Sequence, residues 1–146
     1  MFFGSGEREN MVRELYYKKF FTYKRQYDLL YKWMYCDLYH RKLEDTLLSQ
    51  GISSVMIYGI GEIGGLIYEK LKHTAVRTEC FIDSFSVAKK YYLEDIDVIK
   101  PWEIQGRNAD LIIISLPQIA ESIEMDLIKT GVMIPIQSIE NIIMRM

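Results

Sequence analysis

The sequence predicts an α/β fold: a doubly wound parallel sheet of about five strands, preceded by a long N-terminal helix and a short second helix. Three observations support this prediction. No proline or glycine interrupts residues 7–50. An apolar run then ends at a glycine-rich turn and is followed by a helical pattern. Beyond this unit, short strand patterns alternate with short helical patterns, which is typical of a parallel sheet covered by helices.

The composition is that of an ordinary globular domain. The chain has 146 residues, of which 49% are hydrophobic and 26% charged, with a formal net charge of -2. This balance gives no reason to expect nucleic-acid binding. Residues 1–4 are too short for a secretory signal, and no apolar run approaches the roughly 20 residues of a membrane span. Because Cys80 falls in a predicted buried strand, we expect free thiols and a cytoplasmic protein.

The N-terminal region carries an aromatic stripe at helical spacing. It predicts a long helix from about Arg8 to about His40 and a short helix from Leu43 to Ser49, closed by Gly51. The stripe suits packing against the following domain or a second copy, a peripheral membrane contact, or a protein partner. Because a 30-residue helix extends about 45 Å, more than a small domain covers, we favour a homodimer through this helix.

The glycine turn is the first candidate binding site. The strand Val55–Tyr58 leads into the six residues Gly59, Ile60, Gly61, Glu62, Ile63 and Gly64, and a helix follows. In a dinucleotide-binding unit the first glycine allows the turn, the second lets the backbone approach a phosphate, and the third lets the helix pack on the sheet. The helix N-terminus then offers N–H groups to the anion.

The end of the second strand supplies the next candidates. The strand is predicted over Val76–Asp83, and Asp83 lies where the ribose-binding acid of such folds occurs. Asp83 and Ser84 are therefore candidate ribose contacts. The alternative is that Asp83 opens a turn with Ser84, which is common for this residue type.

The remaining elements complete the sheet. Strands are predicted over Ile96–Lys100, Asp110–Leu116 and Val132–Ile136, and helices over Pro101–Ile104, Ile119–Thr130 and Ser138–Met144, the last capped by Ser138. A strand order of 3-2-1-4-5 would place Ser115, Leu116 and Pro117 beside the glycine turn. We therefore add these three residues to the site, although Ser115 has a capping role as its alternative.

These patterns divide the chain into an N-terminal helical region, residues 1–50, for dimerisation or packing, and a Rossmann-like nucleotide-binding domain, residues 51–146. Together, Tyr58–Gly64, Cys80–Asp83 and Ile112–Pro117 resemble the small Rossmann-type domain of bacterial polysaccharide-biosynthesis proteins. That domain precedes the catalytic part of nucleotide-sugar dehydratases and epimerases and occurs in sugar acetyltransferases. The resemblance implies NAD(P) or a nucleotide-sugar as ligand and a polysaccharide-biosynthesis protein as a possible partner.

No catalytic constellation and no metal-ligand spacing accompany these motifs. Glu62 places a carboxylate in the turn, where it would repel a pyrophosphate unless it points away or binds a hydroxyl. Three hypotheses follow: a non-catalytic nucleotide-binding module, a small oxidoreductase or nucleotide-sugar-modifying subunit that needs a partner, and an interaction protein with a vestigial site. Whether the chain is an enzyme stays open at this point.

Overall fold

The computed structural model describes residues 4–146, so the expectation about a secretory signal, which rests on residues 1–4, lies largely outside them. The helices and strands are as follows: α1 Ser5–Leu38, α2 Leu43–Ser49, β1 Ser54–Tyr58, α3 Glu62–Leu71, β2 Arg77–Ile82, β3 Val98–Ile99, β4 Leu111–Ile114, α4 Ala120–Lys129, β5 Ile136–Ser138 and α5 Ile139–Met144. Single 3-10 turns occur at Pro101–Glu103 and Pro117–Ile119.

The five strands form one parallel sheet in the order β3-β2-β1-β4-β5, which confirms the predicted fold class. β1 lies at the centre, and Ile57 is paired with Phe81 on one side and Ile113 on the other. All three side chains are fully buried. The continuous apolar runs therefore reflect burial on both faces of the sheet.

The two faces of the sheet carry different layers. One hydrophobic cluster joins the sheet to α1, α2, α3 and α5, and a second joins it to α4 and the residues around the Pro101–Glu103 turn. Leu29 and Trp33 of α1 belong to the first cluster. The long helix is thus packed into the same core as the strands. The division at residue 50 stays a prediction.

Only the C-terminal half of α1 rests on this core. Its buried side chains are Leu29, Trp33 and Cys36, whereas every residue from Ser5 to Phe21 is exposed. Arg25 marks the boundary, where its guanidinium donates to both carboxylate oxygens of Glu140 in α5 at 2.7 and 2.8 Å. The first half of α1 therefore extends away from the sheet as an arm.

One predicted strand is displaced along the chain, and another is shorter than predicted. The fifth strand was expected over residues 132–136 and lies at Ile136–Ser138. Pro135 has no N–H to donate to a sheet, and its carbonyl instead accepts from the Ile112 amide at 2.9 Å, immediately before the pairing begins. The third strand lies inside its predicted range but is only Val98–Ile99, and Asp97, directly before it, forms an antiparallel bridge with Lys90.

The remaining boundaries agree with the predictions within a few residues, as expected for helix and strand ends. Ser138 caps α5 as predicted, since its Oγ accepts from the Asn141 amide at 3.1 Å. Over residues 4–146, none of the helices combines the length and the apolar content needed to cross a membrane.

Candidate functional site: the glycine turn and the cavity beside α1

Gly59 makes the turn out of β1. Its φ of +106° lies in a region that residues with a side chain rarely adopt. A methyl group on Gly59 would overlap the hydroxyl of Ser115 at the end of β4. Both the backbone angle and the lack of space therefore require glycine at this position.

Gly64 brings the first turn of α3 against the strand ends. A methyl group here would overlap the carbonyl oxygen of Gly59 and lie 3.2 Å from Ser115 Oγ. Because one of these neighbours is backbone, the clash cannot be relieved by a side-chain rotation. Gly64 therefore allows α3 to pack closely on the sheet, which is the structural role that the sequence predicts for it.

Ser115 fills the space that the two glycines leave. It is buried, and its Oγ lies 2.7 Å from the Tyr58 carbonyl oxygen, to which it donates, and 3.3 Å from that of Gly59. The hydroxyl therefore ties the end of β4 to the end of β1. It does not act as a helix cap, which was the alternative to a ligand contact.

Gly61 differs from the other two glycines of the motif. Its φ of −74° is accessible to any residue, and no atom lies within 4 Å of a methyl group placed on it. The fold alone thus gives no reason for glycine here. Gly61 borders a cavity of about 440 Å³, a volume within the usual range of small-molecule sites.

The cavity lies between the glycine turn and α1. Its lining residues come from the turn, from α3, from the end of β4 and from the long helix: Gln26, Leu30, Gly61, Glu62, Ile63, Gly64, Leu66, Ser115 and Leu116. Gln26, Leu30 and Leu66 were not among the predicted site residues. No pattern within residues 51–146 could have indicated Gln26 and Leu30, because they reach the site only through the docking of α1.

The electrostatics of the cavity depend on the start of α3. Gly61 is the N-cap and provides no side-chain cap, and the first intrahelical bond runs from the Gly65 amide to the Gly61 carbonyl at 2.9 Å. The N–H groups of the first turn of α3 therefore have no partner within the helix. They lie at its N-terminal end, which is the positive end of the helix dipole. Among the described lining residues none is Lys or Arg, and Glu62 is the charged one.

Asp83 and Ser84 lie outside this lining. Oδ2 of Asp83 accepts from the amides of Phe85 and Ser86 at 3.2 and 2.6 Å, which is the turn geometry considered as the alternative. Ser84 Oγ is 2.7 Å from the Tyr58 hydroxyl. Their contact with ribose stays a prediction.

Two other predicted site residues also lie beyond the cavity wall. Ile60 is half-buried against the core, and Pro117 is buried at the start of a 3-10 turn. Neither is among the lining residues. The cavity is therefore built mainly from the second half of the glycine motif and from α1.

Across the described part of the chain, no three His, Cys, Asp or Glu side chains come together as a metal site. The two cysteines are free and buried. Burial raises the pKa of the Cys80 thiol from its ordinary value near 9 to about 11, so Cys80 is not an activated nucleophile.

This raised pKa predicts a loss of stability in alkali. Unfolded Cys80 ionises from about pH 9, whereas the folded thiol stays protonated to about pH 11. The unfolded state is therefore favoured as the pH rises through that interval, by about 3 kcal/mol in total. Urea denaturation at several pH values should show this slope, and Cys80→Ala should reduce it. An identical slope in the variant would contradict the assignment.

The geometry defines the class of domain: a Rossmann-like α/β sheet with a glycine turn at the carboxyl end of its central strand. The chain belongs to the C2185-like N-terminal domain family, whose model matches residues 51–139. No curated protein and no solved structure matches the chain.

The family match overturns the resemblance drawn from the sequence. The matching family is not the nucleotide-sugar-binding domain of polysaccharide-biosynthesis proteins, so that assignment is wrong. It rested on a glycine turn, an acidic strand end and a buried fourth strand. These features belong to the fold and recur in unrelated proteins that share it.

Proposed function

We propose that the chain is a binding module for a phosphate-bearing nucleotide, with an NAD-type dinucleotide as the first candidate and a nucleotide-sugar as the second. The supporting observation is Gly61. Gly59 and Gly64 are explained by packing, whereas a methyl group on Gly61 would have no protein atom within 4 Å, and Gly61 lines the cavity. A ligand phosphate that approaches the backbone closely would account for glycine at this position.

The phosphate would bind to the first-turn amides of α3. This arrangement uses backbone donors and the helix dipole, and it requires no Lys or Arg in the cavity. Leu30 and Leu66 would provide an apolar wall for a base or a nicotinamide ring.

Glu62 determines how such a ligand would be oriented. Its carboxylate lines the same cavity and would repel a phosphate placed against it, but it would accept hydrogen bonds from ribose hydroxyls. We assign Glu62 as a ribose contact in addition to the predicted Asp83. The ligand would then extend from the Gly61 amide towards α1.

A thermal-shift series tests the proposal. Ligand at a hundredfold excess over its dissociation constant should stabilise the fold by about 2.7 kcal/mol. We expect a shift with one of NAD, NADH, NADP, AMP, coenzyme A or a UDP-sugar. Gly61→Val should abolish it. Gly6→Val, at an equally open position far from the cavity, is the matched control and should retain it. No shift with any ligand would contradict the proposal.

One observation favours a second function, an interaction protein whose turn binds no nucleotide. Glu62 is the charged residue in the cavity, and no cation is present among the described lining residues to offset it. If this second function is correct, none of the ligands should shift the melting temperature of the Glu62→Gln variant. If the turn does bind a nucleotide, the same change should alter ligand affinity while leaving the melting temperature of the free protein unchanged.

We also propose how the chain could take part in a reaction and where in the cell it lies. A partner that supplied catalytic groups would make the module an oxidoreductase subunit, which hydride transfer in the presence of that partner would test. The two buried free thiols favour a reducing compartment, and we propose the cytoplasm.

A further inference from the structure

We infer that two copies of this chain pair through an exposed apolar stripe on α1 in antiparallel orientation, and that the second copy provides a cation at the mouth of the cavity. The stripe consists of six side chains: Tyr16, Phe20, Tyr23, Tyr27, Leu30 and Met34. Their exposed fractions range from 39% to 72%. The part of this inference that concerns the cavity rests on the proposed nucleotide site.

The stripe lies on a different side of α1 from the core contact. At 100° per residue, its centre is roughly 130° around the helix axis from the buried residues Leu29, Trp33 and Cys36. Because the sheet packs against one side of α1, the same sheet cannot also cover the side that carries the stripe. The stripe therefore needs a partner from outside the chain.

The spacing of the stripe matches a second copy. Its intervals alternate between four and three residues, the repeat that keeps side chains on the seam of a coiled coil. The positions are also mirrored about residue 25: Tyr16 by Met34, Phe20 by Leu30, and Tyr23 by Tyr27. An antiparallel two-fold pair centred there would place each stripe residue against another stripe residue.

The area is sufficient for such a pair. Six side chains of this size that each bury about 100 Å² give about 600 Å² per copy, or about 1,200 Å² in total. Specific interfaces begin at about this size. Val12 and Leu38 extend the stripe by one turn at each end and are exposed as well.

The two-fold axis also decides which residues approach the cavity. Gln26 lies on the flank of α1 between the stripe and the core, and Lys19 lies on the same flank. In an antiparallel pair the same flank of each helix lies on the same side of the seam. Because Phe20 of the second copy faces Leu30, Lys19 of the second copy falls beside the cavity that Leu30 lines. A cavity without its own cation would thereby gain one.

The first test is the oligomeric state. Light scattering with sedimentation at micromolar concentration should give a dimer for the full chain. Tyr27→Glu should give a monomer, since it places charge at the centre of the seam. Phe21→Glu is the matched control: this aromatic residue is also exposed, but lies off the stripe, so the dimer should persist. A monomeric wild type overturns the inference, and binding of that monomer to anionic vesicles would assign the stripe to a membrane surface.

The second test is the orientation. Both native thiols are buried, so single cysteines can be introduced at the ends of the stripe with little background. Antiparallel pairing predicts a disulfide when Tyr16→Cys and Met34→Cys proteins are mixed, and none in Tyr16→Cys alone. The reverse result would show a parallel pair and overturn the contact of Lys19 with the cavity.

The third test is the cation, with pyrophosphate and NAD as probes. Lys19→Ala should weaken binding about tenfold, the size of a charge-assisted hydrogen bond, and leave the dimer intact. Lys18→Ala, on the far side of the helix, should change neither property. If Lys19→Ala leaves the affinity for both probes unchanged, the proposed contact between Lys19 of the second copy and the cavity is overturned. Absence of binding in the wild type would instead contradict the proposed function and leave the dimer result standing.

Discussion

Gly64→Ala is expected to destabilise the domain by about 3 kcal/mol or more, or to prevent folding. The added methyl group would overlap the Gly59 carbonyl oxygen and press on Ser115 Oγ. Overpacking against a side chain costs about 1–3 kcal/mol, and a clash with backbone exceeds the upper part of that range because α3 itself must shift. Urea denaturation followed by circular dichroism would measure the loss.

Gly61→Ala is the matched control for that experiment. The position has an ordinary φ and open space around the added methyl group, so the only cost is a poorer N-cap, about 1 kcal/mol or less. Two glycines three residues apart in the same motif should thus respond very differently. Equal losses in the two variants would contradict the structural account of the turn.

Trp33→Ala is expected to cost about 3–5 kcal/mol, the usual effect of removing a large buried aromatic side chain. Trp33 is 2% exposed and belongs to the cluster that joins α1, α2 and α5 to the sheet. Its loss should release α1 from the core and leave Leu29 and Leu43 in contact with water. Denaturant unfolding would report both the lower stability and any change in cooperativity.

Trp33→Phe provides the control. The indole Nε1 has no hydrogen-bond partner within the described residues, so replacing the indole by a phenyl ring removes an unsatisfied donor while keeping most of the apolar volume. We expect a cost below about 1.5 kcal/mol. A loss in Trp33→Ala as small as that in Trp33→Phe would mean that α1 does not contribute to the core.

The fold was largely predictable from local patterns. Val55–Tyr58 and Asp110–Leu116 are apolar runs too short for helices, and the glycine turn between strand and helix specifies a parallel connection. The register of the last strand was not predictable, because Val132–Ile136 is as apolar as a strand and only the pairing shows how Pro135 is accommodated.

The site was predictable only in part. The motif identified Gly59, Gly61 and Gly64, but sequence spacing cannot distinguish a glycine that packing requires, such as Gly64, from one that packing does not require, such as Gly61. Gln26 and Leu30 form the opposite wall and lie about 30 residues away in the chain. Their position follows from a tertiary contact between α1 and the body of the domain, which no local signal encodes.

The docking of α1 on α5 has a consequence for how the protein is made. Arg25 and Glu140 are separated by 115 residues, and Arg41 donates to the carbonyl of Met146. At 5–20 residues per second, α1 leaves the ribosome about 6 s or more before its counterpart in α5 exists. During this interval the hydrophobic cluster that contains Leu29 and Trp33 lacks the side chains that α5 contributes to it. We expect the nascent chain to be most exposed to aggregation and to chaperones in that interval.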